Sequence, residues 1–126
     1  MKVAITSQGK DFEAATDPRF GRCQYFMIVD SDSEDFEVLS NDNIGVGGGA
    51  GIATAQMLIK HGVEAVLTGN VGPNAIRVLQ GAGISVYTTN APTVWEALKQ
   101  FQEGNLEPLS QATAKSHFGR GKGGNR

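Results

Sequence analysis

Gly45-Val46-Gly47-Gly48-Gly49-Ala50-Gly51-Ile52-Ala53-Thr54-Ala55-Gln56 reads as a glycine-rich loop that turns directly into a helix. From Ile52 onward the apolar residues take helical spacing, at Ile52, Ala55 and Ile59, with Ala53, Met57 and Leu58 widening the stripe. The first four N–H groups of a helix have no partner inside it, and the helix dipole is positive at that end. Glycines there clear side chains away from the backbone. Two readings follow: an anion cradle at a helix start, or a connecting loop that happens to be rich in glycine.

Downstream, His61-Gly62 closes this helix, Gly62 suiting the left-handed position past a helix end. Ala65-Val66-Leu67-Thr68 is a short apolar strand that leads into a second glycine-bearing turn, Gly69-Asn70-Val71-Gly72-Pro73-Asn74. Pro73 fits the first helical position, where a missing N–H costs nothing. Ala75, Ile76, Val78 and Leu79 give that helix an apolar face, and Gly81 and Gly83 stop it. Ile84 to Tyr87 is the next strand. Thr93-Val94-Trp95-Glu96 is a capping box, with Thr93 reaching forward and Glu96 back. Val94, Ala97, Leu98 and Phe101 continue the helix, which Gly104 ends.

Upstream, Lys2 to Thr6 alternates, with Val3 and Ile5 on one face of a short strand. Tyr25-Phe26-Met27-Ile28-Val29 is a continuous apolar run and predicts a buried strand. Asp30 to Glu34 turns, and Phe36 to Leu39 returns antiparallel to it.

Alternating strands and helices in the second half require parallel strands with right-handed crossovers. The prediction is an α/β fold with a five-stranded mixed sheet in the order 3-2-1-4-5, strand 2 antiparallel to the rest. The loops after Thr6, before Tyr25, from Gly45 and from Gly69 then converge on one rim, beside a switch in strand order where open α/β sheets bind ligands. That convergence favours the anion cradle over the plain loop.

The bulk properties fit one domain. The 126 residues carry a formal net charge of -2, which indicates neither disorder nor a nucleic-acid-binding surface. The 17 glycines cluster rather than scatter. Cys23 is the single cysteine, so no disulfide forms within the chain, in keeping with a reducing, cytoplasmic setting. The first residues lack the apolar core of a signal peptide, and no segment approaches the roughly 20 apolar residues of a membrane span. The expected organisation is a domain over residues 1–108 and a basic, glycine-rich tail over 109–126, flexible on its own; a solubilising end is favoured over a tail that closes on an anionic ligand with His117 as a metal contact.

Four stretches together resemble the dinitrogenase iron–molybdenum cofactor biosynthesis and carrier family: Met1-Lys2-Val3-Ala4-Ile5; Arg19-Phe20-Gly21-Arg22 with Tyr25-Phe26-Met27-Ile28-Val29-Asp30; Gly48-Gly49-Ala50-Gly51-Ile52; and Gly69-Asn70-Val71-Gly72-Pro73-Asn74-Ala75. Their order and spacing carry the match over about residues 1 to 105. The resemblance implies a three-layer α/β/α fold with a ribonuclease-H-like motif. It also implies a non-catalytic protein that binds, carries or protects an anionic metal–sulfur cluster, an iron–molybdenum cofactor precursor. The chain is equally similar to the orange protein type, which implies a molybdenum–copper sulfide cluster instead. Cluster-assembly or acceptor proteins are the implied partners, with no nucleic acid or membrane; a monomer is consistent with the sequence. Several family members carry a histidine, a candidate cluster ligand, where this chain has Arg19, so that ligand does not carry over.

The candidate cluster-binding residues are Arg19, Phe20, Gly21, Arg22, Gly48, Gly49, Ala50, Gly51, Gly69, Asn70, Gly72 and Asn74. Cys23 is the candidate metal ligand, its thiol acidified if Arg22 and Arg19 lie close; the alternative is a small buried apolar residue. Arg19, Arg22 and Lys10 offer charge to an anion. One cysteine is too few to hold an ordinary iron–sulfur cluster, whereas a preassembled cluster brings its own sulfides. A nuclease is rejected, because the centres of the predicted strands carry no carboxylates to hold two metal ions. No Gly-Lys-Ser/Thr follows the glycines, so the loop is not a Walker motif. The competing class is a small-molecule or nucleotide-binding regulatory module that uses the same amides for phosphate.

Overall fold

The computed structural model describes residues 1–42 and 50–110. Its elements are β1 (Lys2–Ser7), β2 (Tyr25–Asp30), β3 (Phe36–Ser40), α1 (Ala50–Lys60), β4 (Ala65–Thr68), α2 (Pro73–Gly81), β5 (Ser85–Thr88) and α3 (Val94–Gln102). The sheet order is β3-β2-β1-β4-β5. β2 runs antiparallel to both β1 and β3. β4 runs parallel to β1 and to β5. Both are as the sequence predicts.

Pleating splits the apolar runs between two cores. Ala4, Phe26, Ile28, Val66 and Val86 pack against Ala55 and Leu58 of α1 and Ala75, Ile76 and Leu79 of α2. Val3, Ile5, Met27, Val29, Ala65 and Leu67 pack against Val94, Ala97 and Leu98 of α3. The result is three layers, with α1 and α2 on one face and α3 on the other. β1 and β4 are buried on both faces, as is the middle of β2, which explains their unbroken apolar character. β3 is an edge strand, and its Phe36 is 47% exposed.

The helix ends follow local chemistry. Gly62, Gly83 and Gly104 take positive φ just past α1, α2 and α3. Thr93 Oγ1 accepts from Glu96 N at 3.2 Å. The returning half of the capping box differs from expectation: Glu96 Oε1 accepts from the Thr93 hydroxyl at 3.1 Å. The amides at the start of α3 are otherwise engaged, Val94 N donating to Ala14 O and Trp95 N to Phe12 O, each at 3.0 Å. These two bonds fasten the loop between β1 and β2 over the α3 layer.

The ordered body runs past the last helix. Leu109 N donates to Val86 O at 2.7 Å, and Leu109 packs on the α1/α2 core. Among the described residues, no helix is long and apolar enough to cross a membrane.

Candidate functional site: the rim pocket

The carboxyl ends of β1 and β4 and the amino end of β2 share one rim. A cavity of about 290 Å³ opens there, lined by Arg19, Phe20, Gly21, Gly51, Ile52, Asn70, Gly72, Pro73, Asn74 and Ala75. Three stretches far apart in sequence meet around it: residues 19–21, the first turn of α1, and the turn from Asn70 into α2.

Close backbone approach makes this possible. Phe20 N donates to Asn70 O at 3.1 Å, and Asn70 N to Pro18 O at 2.7 Å, so two of the loops pair like short parallel strands. A Cβ on Gly69 would stand 2.7 Å from Pro18 Cα. Glycine is therefore a packing requirement there, not a matter of loop flexibility. On the other wall, a Cβ on Gly51 would meet Ala75 Cβ at 3.3 Å, which brings the starts of α1 and α2 side by side.

Two helix starts thus face one cavity. Gly72 is the N-cap of α2 and supplies no side-chain cap; among the described residues Asn74 N and Ala75 N have no acceptor. Gly51 and Ile52 belong to the first turn of α1, whose N–H groups have no partner within the helix. α3, by contrast, has its first amides capped by protein carbonyls. Gly72 differs from the other rim glycines as well. It has ordinary φ and ψ of -79° and 168°, and a Cβ there would meet nothing within 4 Å. Neither backbone conformation nor packing among the described residues calls for glycine there. Its missing side chain leaves the pocket open.

Among the described residues, Arg19 is the one charged residue lining the cavity, and no carboxylate lines it. Its charge is held by Asp17: Nε donates to Oδ1 at 3.2 Å and Nη2 to Oδ2 at 3.3 Å. These hydrogen bonds, and then the charge of Asp17, raise the guanidinium further above its ordinary value. Asp17 is buried, with its backbone N on Thr6 O at 3.0 Å and its own carbonyl accepting from Thr6 Oγ1 at 2.5 Å.

Asn41 joins the walls from behind. Buried at the end of β3, it donates through Nδ2 to Gly21 O at 3.3 Å and Cys23 O at 2.9 Å. Its Oδ1 accepts from Thr54 Oγ1 of α1 at 3.3 Å. The sequence offered a signal for Asp17, since Asp-Pro followed by a cation is turn chemistry with a side-chain acceptor. It offered none for Asn41, whose partners Gly21, Cys23 and Thr54 are 20, 18 and 13 residues away.

Of the residues singled out from sequence, Arg19, Phe20, Gly21, Gly51, Asn70, Gly72 and Asn74 line the cavity. Gly69 shapes the rim through Pro18, and Ala50 is buried as the first residue of α1. Arg22 is exposed and does not line the cavity. Lys10 instead sits over the Tyr25 ring, 5.4 Å from its centroid. Gly48, Gly49 and His117 lie outside the described residues.

Cys23 is fully buried, donates to Phe20 O at 3.4 Å and is not part of the cavity wall. The expected acidification by arginine does not occur. Burial, and after it the charge of Asp17, push the thiol up to about 12. Among the described residues no three His, Cys, Asp or Glu side chains gather to hold a metal ion.

The family model for the dinitrogenase iron–molybdenum cofactor matches residues 1–104. An uncharacterised protein of Methanocaldococcus jannaschii is 37% identical over 110 residues, covering 85% of this chain and 90% of the relative. The apo form of the orange protein from Desulfovibrio gigas superposes with a TM-score of 0.87 at 36% identity, covering 90% of this chain and 96% of that one. A NifB-like protein of Thermotoga, placed in the DUF35 family, superposes with a TM-score of 0.80 at 41% identity, covering 91% and 98%.

Proposed function

The chain belongs to the dinitrogenase iron–molybdenum cofactor family, and from that membership we propose that it binds and carries an anionic metal–sulfur cluster at the rim pocket. The cluster is cargo, and the protein performs no chemistry on it. An iron–molybdenum cofactor precursor and a molybdenum–copper sulfide are the two cargo types that the family and the orange protein likeness support. Cluster-assembly and acceptor proteins of a reducing cytoplasm are the partners such a carrier requires.

The observation that carries this reading is the meeting of two helix starts on a cavity whose described lining has a cation and no carboxylate. Amide N–H groups and helix dipoles favour an anion, each helix end by about 0.3–1 kcal/mol when exposed. A cluster with its own sulfides needs N–H donors and charge rather than a set of thiolate ligands. The buried, protonated Cys23 is consistent with a cradle of that kind, in which Gly21, Gly51, Gly72, Asn70 and Asn74 surround the cargo and Arg19 faces it. Arg22, Gly48 and Gly49 join them as residues flanking the same walls in sequence.

Anaerobic mixing with tetrathiomolybdate, followed by gel filtration and visible absorption, tests the proposal. A stoichiometric chromophore that travels with the protein is expected, and its loss on filtration sinks the reading. Thermal-shift screening separates the regulatory alternative. Stabilisation by nucleotides but not by tetrathiomolybdate would assign the same amides to phosphate.

A further inference from the structure

A guanidinium offers two edges that can each donate a pair of parallel hydrogen bonds. In Arg19 the edge formed by Nε and Nη2 is taken up by Asp17. The end edge, formed by Nη1 and the second N–H of Nη2, has no acceptor among the described residues. The Arg19 side chain is 62% exposed and lines the rim cavity, whereas that of Asp17 is 2% exposed. Asp17 is in turn anchored to the sheet, because Thr6, which holds its main chain, also pairs with Thr68 Oγ1 of β4 at 3.2 Å. Arg19 N adds a third bond to Asp17 Oδ1 at 2.9 Å. The arginine is thereby referred to the ends of β1 and β4 rather than to its own loop.

The pair is not explained by a need for positive charge. A buried carboxylate against Arg19 cancels much of the field that an anion would feel, so a site needing charge alone is better served without Asp17. What Asp17 contributes is direction. We infer that Asp17 is a positioning residue that presents the free end of Arg19 to the pocket as a two-donor fork, selecting anions that carry two acceptor atoms on one centre. Tetrahedral oxo- and thioanions, and clusters edged by paired sulfides or oxygens, have that feature; a linear anion that binds end-on does not. The inference rests on the rim pocket being an anion site, and it adds which anions are preferred and which residue sets the preference.

The test uses the full chain with tetrathiomolybdate as the two-acceptor probe and thiocyanate as the end-on probe, both followed by titration calorimetry. Arg19→Lys keeps the charge and removes the fork. It is expected to weaken tetrathiomolybdate at least tenfold while leaving thiocyanate within about twofold. Asp17→Asn adds one net positive charge yet is expected to weaken tetrathiomolybdate as well, and the double variant to be little worse than either single one. A merely electrostatic Asp17 predicts the opposite sign, so tighter binding by Asp17→Asn overturns the inference, as does wild-type affinity in Arg19→Lys. Should Asp17→Asn not fold, Asp17→Glu, which keeps the charge and displaces the carboxylate, takes its place: weaker tetrathiomolybdate binding is expected, and wild-type affinity overturns the inference. The Arg19 Nε–H resonance supplies an independent readout, expected to shift on removal of Asp17. Failure of the underlying reading looks different: wild-type protein then binds neither probe.

Discussion

The start of α1 occupies the space that a side chain on Gly21 would need: a Cβ on Gly21 would lie 3.2 Å from both Cα and N of Gly51. The two residues are thirty apart in sequence and form adjoining walls of one pocket. The contact is backbone on backbone, so neither side yields easily. Gly21→Ala should destabilise the fold by about 1–3 kcal/mol, as overpacking does, and displace the Gly51 amide resonance. Urea unfolding and amide chemical shifts check both, and unchanged stability would mean the walls are looser than their geometry.

Gly72 should behave in the opposite manner. Its φ and ψ are open to any residue, and its Cβ direction is free of neighbours. Gly72→Leu is expected to leave the melting temperature nearly unchanged and to abolish tetrathiomolybdate binding. A variant that folds and still binds places the anion elsewhere.

Asn41 holds the same walls from the protein side. Asn41→Ala leaves the carbonyls of Gly21 and Cys23 and the Thr54 hydroxyl without this partner in a buried position. The expected loss is about 2–3 kcal/mol, from buried polar groups left unsatisfied. A chemical denaturation series measures it. A loss below about 0.5 kcal/mol would show that water takes the place of the side chain.

Cys23 gives a pH signature. Its thiol is raised from 9.0 to about 12, by burial first and by Asp17 second. The folded chain therefore keeps the proton to a higher pH than the unfolded chain does. The stability tied to it is complete below about pH 9 and is lost as the pH climbs towards 12. Cys23→Ala should lack that alkaline decline. In the native wild type the thiol should resist alkylation at pH 8 and react once denatured; rapid native alkylation would contradict the burial.

Much of this architecture is readable locally. The stop glycines at Gly62, Gly83 and Gly104, the proline at the first position of α2 and the threonine cap at Thr93 act over four or five residues, and each is found where its chemistry suggests. The apolar runs at Val3–Ile5, Phe26–Val29 and Ala65–Leu67 mark strands covered on both faces, and alternation with helices then leaves few topologies. The predicted strand order brings the loop before β2, the start of α1 and the turn after β4 to one rim, and Arg19, Gly51 and Gly72 line one cavity there.

Side-chain assignments within that rim were a different matter. Arg19, Arg22, Lys10 and Cys23 all fall between β1 and β2, and the sequence offers the three cations to an anion and the cysteine to a metal. In the fold Arg19 lines the pocket, Arg22 is exposed outside its lining, Lys10 lies over the Tyr25 ring and Cys23 is in the core. Short-range steric and hydrogen-bonding preferences are written into neighbouring residues, so the sequence alone determined the elements, their order and which loops share an edge. Direction, burial and charge pairing depend on groups brought together from distant positions. Only the tertiary structure could therefore decide that Asp17 fixes Arg19, that Asn41 ties β3 to α1, and that the cysteine stays protonated.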